Sequence, residues 1–184
     1  MTKLGRAAGL VTSMAALALG ATGSYAHDET GTTEPVALAP GYTALQYPSP
    51  VVGSYELPFL GSAKDGAYID SFSVHGRLHQ LFHDRVTLLS FIYTQCEDVN
   101  GCPLATFVMG QIARRLQSDP EIQNHLRLVS FSFDLKNDTA ETLQRYAASF
   151  RPDGVDWHFV TAPGAASLAT TLAGYQQSVQ ETEG

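Results

Sequence analysis

Both cysteines of the 184-residue chain fall in one stretch, Tyr93-Thr94-Gln95-Cys96-Glu97-Asp98-Val99-Asn100-Gly101-Cys102-Pro103-Leu104. Two thiols so placed suit two kinds of chemistry. They can exchange electrons as a dithiol–disulfide pair, or hold a soft metal ion such as Cu(I) as thiolates. A Cys96–Cys102 disulfide needs the two Cα atoms within about 7 Å, and a five-residue insert that turns at Asn100-Gly101 can meet that. Pro103 suits the first turn of a helix, where its missing N–H costs nothing. Cys102 then sits at or next to the helix N-cap, where unpaired N–H groups and the helix dipole favour a thiolate. That position predicts a lowered Cys102 pKa. Glu97 and Asp98 oppose the effect as negative neighbours but would attract a cation; the alternative is that both are solvated loop residues. A local disulfide that merely trims a surface loop is the plainer reading of the pair, but a loop this small is a poor staple for a domain.

Strands must present this loop and a helix must follow it. Val86 to Thr94, VTLLSFIYT, is a continuous apolar run rich in β-branched and aromatic residues, which predicts a central strand covered on both faces. Ala67 to Val74 reads as an earlier strand. From Pro103, residues Leu104, Phe107, Val108, Ile112 and Leu116 recur at the spacing of one buried helical face, and Ser118-Asp119-Pro120 ends that helix. Leu128 to Phe133 is a strand with Val129, Phe131 and Phe133 on one side. A second helix is expected from Asp138, with Glu141 completing a capping box and Leu143, Tyr146, Ala147 and Phe150 as its apolar face. Trp157 to Thr161 reads as a short strand and Ala165 to Leu172 as a last helix. Strands alternating with single helices mean an α/β sheet, and the connection from VTLLSFIYT to LVSFSF should join parallel strands. Strand, cysteine loop, helix, strand, helix is the front half of a thioredoxin-like unit.

The chain before this domain has a different character. Residues 1–26 read as an export signal: Lys3 and Arg6, an apolar run from Ala7 to Ala21, and Ser24-Tyr25-Ala26 before a cut. An uncleaved anchor is the alternative, although the run is short and Ala-rich for spanning about 30 Å of hydrocarbon. Residues 27–50 read as a flexible leader, acidic and polar at first and then carrying Pro40, Pro48 and Pro50; the domain is expected over 51–184. No later segment is long and apolar enough to span a membrane. Net charge is −7, which argues against a nucleic-acid binder and leaves a metal cation or a basic partner open.

FIYTQC and CPLA, then RLVSFSFD, NDTAETLQRYAASF and DWHFVT, in this order and spacing, resemble the Sco/SenC family over roughly Tyr55 to Tyr175. The resemblance implies an exported thioredoxin-like protein that delivers copper to the CuA centre of cytochrome c oxidase. It also implies a copper site of two cysteines and one histidine, the cysteines being Cys96 and Cys102 here. This chain departs from the family in the longer insert between the cysteines, in Asp134-Leu135 where Asp-Pro is usual, and in Thr139-Ala140-Glu141 where Thr-Pro-Glu is usual. No residue matches the family's metal-binding His. The resemblance therefore implies a chain that stops short of that His and of the closing hairpin and final helix of the sheet, with an apolar edge left open.

Other candidate ligands are weaker. His158 shares a strand face with Val160 and reads as a packed or surface His, His125 as an exposed turn residue, and His75, His79 and His83 as hairpin or loop residues. Asp134 ends the strand beside the cysteine-bearing one, at the end of the sheet where functional residues collect. It is expected either near the thiols as a supporting group or as a brace for its own loop. The function expected is a periplasmic copper metallochaperone serving a cytochrome c oxidase subunit or another cuproprotein. The alternative is an enzyme, a thiol–disulfide oxidoreductase that keeps partner cysteines reduced.

Overall fold

The computed structural model describes residues 37–179 apart from Ser49 and Val52. The expected export signal and its cut after Ala26 lie outside the described residues. Five strands form one sheet in the order β2-β1-β5-β4-β3. β1 (Ala67–Asp70) and β2 (His75–Arg77) form an antiparallel hairpin, where the sequence had suggested one strand to Val74. The break is local chemistry: Asp70 Oδ1 accepts from the N–H groups of Phe72 and Val74, each at 2.8 Å, which turns the chain back. A short helix, α1 (Leu78–Phe82), follows; the sequence reading placed none there. Leu78 and Leu81 are its buried residues, and they insert under the sheet.

β3 (Val86–Ile92) runs parallel to β4 (Leu126–Ser132), which runs parallel to β5 (Trp157–Thr161). The parallel β3–β4 connection matches the expectation and is made by α2 (Cys102–Ser118) and the short α3 (Pro120–Gln123). β1 closes the far side antiparallel to β5. Among the described residues β3 pairs only with β4, so it is an edge strand rather than the central strand expected. Val86 is exposed while Ile92 is fully buried, so cover grows toward the end that leads to the cysteines. An apolar run reports burial of side chains, not which strands lie alongside, and that is why the position was misread.

Side-chain alternation sorts the core into two layers. Ile92, Leu128, Trp157 and Phe159 face α2 and α4 (Ala140–Phe150), meeting Met109, Ala113, Leu116, Leu143 and Ala147. Val129, Phe131 and Val160 face the other way, with Leu78 and Leu81 of α1 and Leu168 of α5 (Ala165–Gly174). The sheet with helices on both faces is the expected thioredoxin-like α/β architecture. The one buried indole is satisfied: Trp157 Nε1–H donates to Ser130 Oγ at 3.0 Å, as a buried polar group requires.

α2 is rotated from the face read in the sequence. Cys102, Thr106, Met109, Gly110, Ala113 and Leu116 are its buried residues, whereas Leu104, Phe107, Val108 and Ile112 are only half-buried. Small residues at 106, 110 and 113 let the helix lie close on its neighbours, which a count of large apolar side chains does not register. Val108 and Ile112 instead line a cavity together with Ala37 and Leu38 from the preceding chain. No helix among the described residues is long and apolar enough to cross a membrane.

Candidate functional site

The chain leaves the sheet at Ile92 and re-enters regular structure at Cys102, the first residue of α2. The loop between carries Cys96. Its turn is built by Asp98: its carbonyl accepts the Gly101 N–H at 2.9 Å and its Oδ1 accepts the Asn100 N–H at 3.0 Å. A Cβ at Gly101 would come within 3.3 Å of the Asp98 carbonyl, so glycine gives the turn its room. The Gly101 carbonyl then accepts from Ala105 N–H at 3.1 Å and starts the helix, with Pro103 in the first turn as expected. Glu97 and Asp98 are exposed. The Tyr42 hydroxyl donates to the Val99 carbonyl, which ties the preceding chain to the tip of the loop.

Both cysteines are free thiols, Cys96 half-buried and Cys102 buried. They are close enough to shift one another's ionisation, and they differ in acidity. Partial burial alone would raise the Cys96 thiol. The Tyr93 hydroxyl, the N–H and thiol of Cys102 and the Asp98 N–H outweigh it and hold Cys96 below the ordinary value. Cys102 goes the other way, pushed up to about 11, first by burial and then by its bond to Cys96 and the charge there. The lowered Cys102 pKa expected from the helix N-terminus is therefore overturned: a thiol buried in the apolar cluster that includes Ile92 loses more by desolvation than its backbone hydrogen-bond donors return. Tyr93 carries the complementary shift. Its phenol is pushed up to about 12, first by its hydrogen bond to Cys96 and then by the charge there. Its ring packs on Phe133 at 5.2 Å between centroids. Nothing in the spacing of the sequence marked Tyr93 out except its place three residues before Cys96.

Asp134 braces its own loop. Oδ1 accepts the N–H groups of Lys136 and Asn137, each at 3.0 Å, and Oδ2 accepts Asn137 Nδ2–H at 2.7 Å. Burial would raise its pKa, but these donors, Asn137 foremost, hold it below the usual carboxylate value. The carboxylate that does reach the cysteine loop is Asp138, four residues on. It accepts the Thr94 N–H at 3.0 Å and hydroxyls from Thr94 and Ser132. The sequence reading gave Asp138 the start of α4, but Thr139 caps that helix, its side chain accepting the Thr142 N–H at 3.2 Å.

Among the described residues the histidines stand elsewhere. His158 pairs with Val129 in the sheet, and Val129 with Leu89, well back from the end of β3. Its Nε2 meets Asp156 at 2.8 Å, and burial lowers its pKa. His75 is on β2, four strands across from β3 and so roughly 19 Å away at about 4.8 Å per strand. His79 lies on α1 and His83 follows it, both exposed, and His125 is an exposed residue just before β4. Among the described residues no group of three or more His, Cys, Asp or Glu is placed to hold one metal ion. Among the described residues the candidate site is the pair of thiols.

The same fold is found in known proteins. The chain is 28% identical over 133 residues to the SCO1 protein homolog of Bacillus subtilis (strain 168). That match takes in 71% of this chain and 62% of the relative, so the chain spans less than two thirds of that relative's length. Among solved structures, ScoI of Bradyrhizobium japonicum with copper bound superposes with a TM-score of 0.54 at 23% identity, covering 67% of this chain and 74% of the other. BsSco, described as a member of the Sco family of cytochrome c oxidase assembly proteins with a disulfide switch, gives 0.54 at 24% identity, covering 66% and 67%. These two likenesses establish the fold. The SCO1/SenC family model matches residues 68–183, a span running from β1 through the cysteine loop to beyond α5, and on that match the chain belongs to the SCO1/SenC family.

Proposed function

We propose that the chain is an exported copper-binding protein that holds one Cu(I) ion between Cys96 and Cys102 and passes it by ligand exchange to a cuproprotein, the CuA centre of cytochrome c oxidase being the target the family suggests. The observation that carries this reading is the meeting of two thiols at the end of β3 and the start of α2, one of them already inclined to ionise. Cu(I) is a soft ion that suits thiolates. Binding releases thiol protons, so the ion takes over the charge that burial denies to Cys102. Glu97 and Asp98 on the exposed turn give the approach a negative field that attracts a cation. Copper bound in the Bradyrhizobium japonicum relative and oxidase assembly named for BsSco are consistent with this role. Export, with cleavage after Ala26, rests on the N-terminal pattern, and mass spectrometry of the processed protein should find His27 at the N-terminus.

The test is direct. Cys96→Ser and Cys102→Ser each abolish tight Cu(I) binding in a competition assay with a chromogenic chelator, because one thiolate cannot hold the ion in two-coordinate form. A single variant with wild-type affinity would show the site to be wrong. A second reading, thiol–disulfide exchange with a partner protein, is favoured by the split in acidity: a more acidic, half-exposed Cys96 suits the attacking thiol and a buried Cys102 the resolving one. A reduction potential close to the compartment's poise, with weak copper binding, would decide for it.

A further inference from the structure

We propose that Asp138 is the positioning residue of the thiol pair, clamping the stem of the cysteine loop to the end of β4, so that the Cu(I) geometry proposed above depends on it. Asp138 is 1% exposed. Its Oδ2 accepts the Thr94 N–H at 3.0 Å and the Ser132 hydroxyl, and its Oδ1 accepts the Thr94 hydroxyl. Thr94 stands two residues past the end of β3 and two before Cys96; Ser132 is the last residue of β4. Ser132 is itself fixed, its Oγ accepting the Asp134 N–H at 3.1 Å and its carbonyl accepting the Thr161 hydroxyl at 3.1 Å from β5. One side chain therefore binds the loop stem to the end of β4 at the entrance to α4.

Helix capping does not explain this residue, because Thr139 caps α4. Ion pairing does not explain it either. The three donors are neutral, and no Lys, Arg or His among the described residues forms a salt bridge with Asp138. A buried carboxylate without a cation is costly, and removing one of its donors leaves it under-satisfied. What it does provide is reach: a single group accepts from both the backbone and the hydroxyl of Thr94. Between Thr94 and the Asp98 turn, Cys96 is held further by its contacts with Tyr93, Asp98 and Cys102 and by packing at the margin of the core. The clamp thus sets the direction in which the chain leaves β3 and with it the distance between the thiols.

The full chain with Thr94→Val, Asp138→Asn or Thr94→Ser tests this by three measurements: Cu(I) affinity against a chromogenic chelator, the equilibrium of the metal-free dithiol with glutathione, and the urea midpoint. The glutathione equilibrium reads how well the two thiols are held together, without copper. Thr94→Val and Asp138→Asn are expected to weaken Cu(I) binding and to lower the effective molarity of the pair by about tenfold or more, a factor of ten corresponding to about 1.4 kcal/mol. Thr94→Ser, which keeps the hydroxyl, should restore both to within about threefold of wild type, a difference of under about 0.7 kcal/mol on the same scale. If the variants lose stability while both thiol readouts stay at wild-type values, Asp138 serves packing alone and the proposal is overturned. Should Asp138→Asn fail to fold, Thr94→Val decides. If the wild type holds Cu(I) no better than the doubly Ser-substituted protein, the copper reading falls, and the glutathione equilibrium still decides the clamp.

Discussion

The unequal acidity of the two thiols can be read from their alkylation as a function of pH. Cys102 is pushed up to about 11 by burial and by its partner, while Cys96 is held below the ordinary thiol value. Only the thiolate reacts. At pH 8 a thiol of pKa about 11 is ionised to about one part in a thousand, against roughly one part in four for an ordinary cysteine of about 8.5. Iodoacetamide, with the modified residue located by peptide mass spectrometry, should therefore label Cys96 almost alone. The midpoint of the Cys102 profile should lie well above that of Cys96, and midpoints rather than rates carry the comparison because burial also slows access. Cys96→Ala separates the causes. It removes the neighbouring charge and the hydrogen bond but leaves the burial in the apolar cluster, so the Cys102 midpoint should fall yet stay above the ordinary value. Equal labelling of the two cysteines at pH 8, or a Cys102 midpoint below that of Cys96, would refute the assignment.

The same shift has a consequence for stability. Because the fold favours the neutral Cys102 thiol, the unfolded chain ionises first, and the urea midpoint should fall as pH climbs from about 9 towards about 11; Cys102→Ala should flatten that dependence. Asp156 receives Arg85 at 2.6 Å, Arg127 at 2.8 Å and His158 at 2.8 Å. Asp156→Asn leaves the two arginines without their carboxylate and should cost about 2 kcal/mol in chemical denaturation. The same variant should leave the labelling of Cys96 unchanged, since the cluster lies at the start of β5 and the thiols at the far end of β3. Leu128 is fully buried between the sheet and the α2 layer, so Leu128→Ala should lower stability by about 2–5 kcal/mol, measured the same way.

What the sequence determined by itself is the part of the molecule governed by neighbours along the chain. The succession of β3, α2, β4, α4, β5 and α5 follows from residue periodicity, and β5 spans the residues expected. The cysteine loop at a strand end, the turn at Asn100-Gly101 and the proline in the first turn of α2 follow from local backbone preferences. The half-buried stack of Tyr146 and Phe150 beside buried Leu143 and Ala147 follows from the spacing of α4. Tertiary structure decided the rest. It put β3 at the sheet edge and turned the small residues of α2 inward, since close approach of a helix depends on the shape of the surface beneath it. It reversed the expected acidity of Cys102, because desolvation is set by what other segments pile onto a side chain and not by its place in a helix. And it gave the loop stem to Asp138 rather than Asp134: both carboxylates follow β4, but Thr94 lies 44 positions away in the chain from Asp138, and no local pattern records which of the two the fold brings against it.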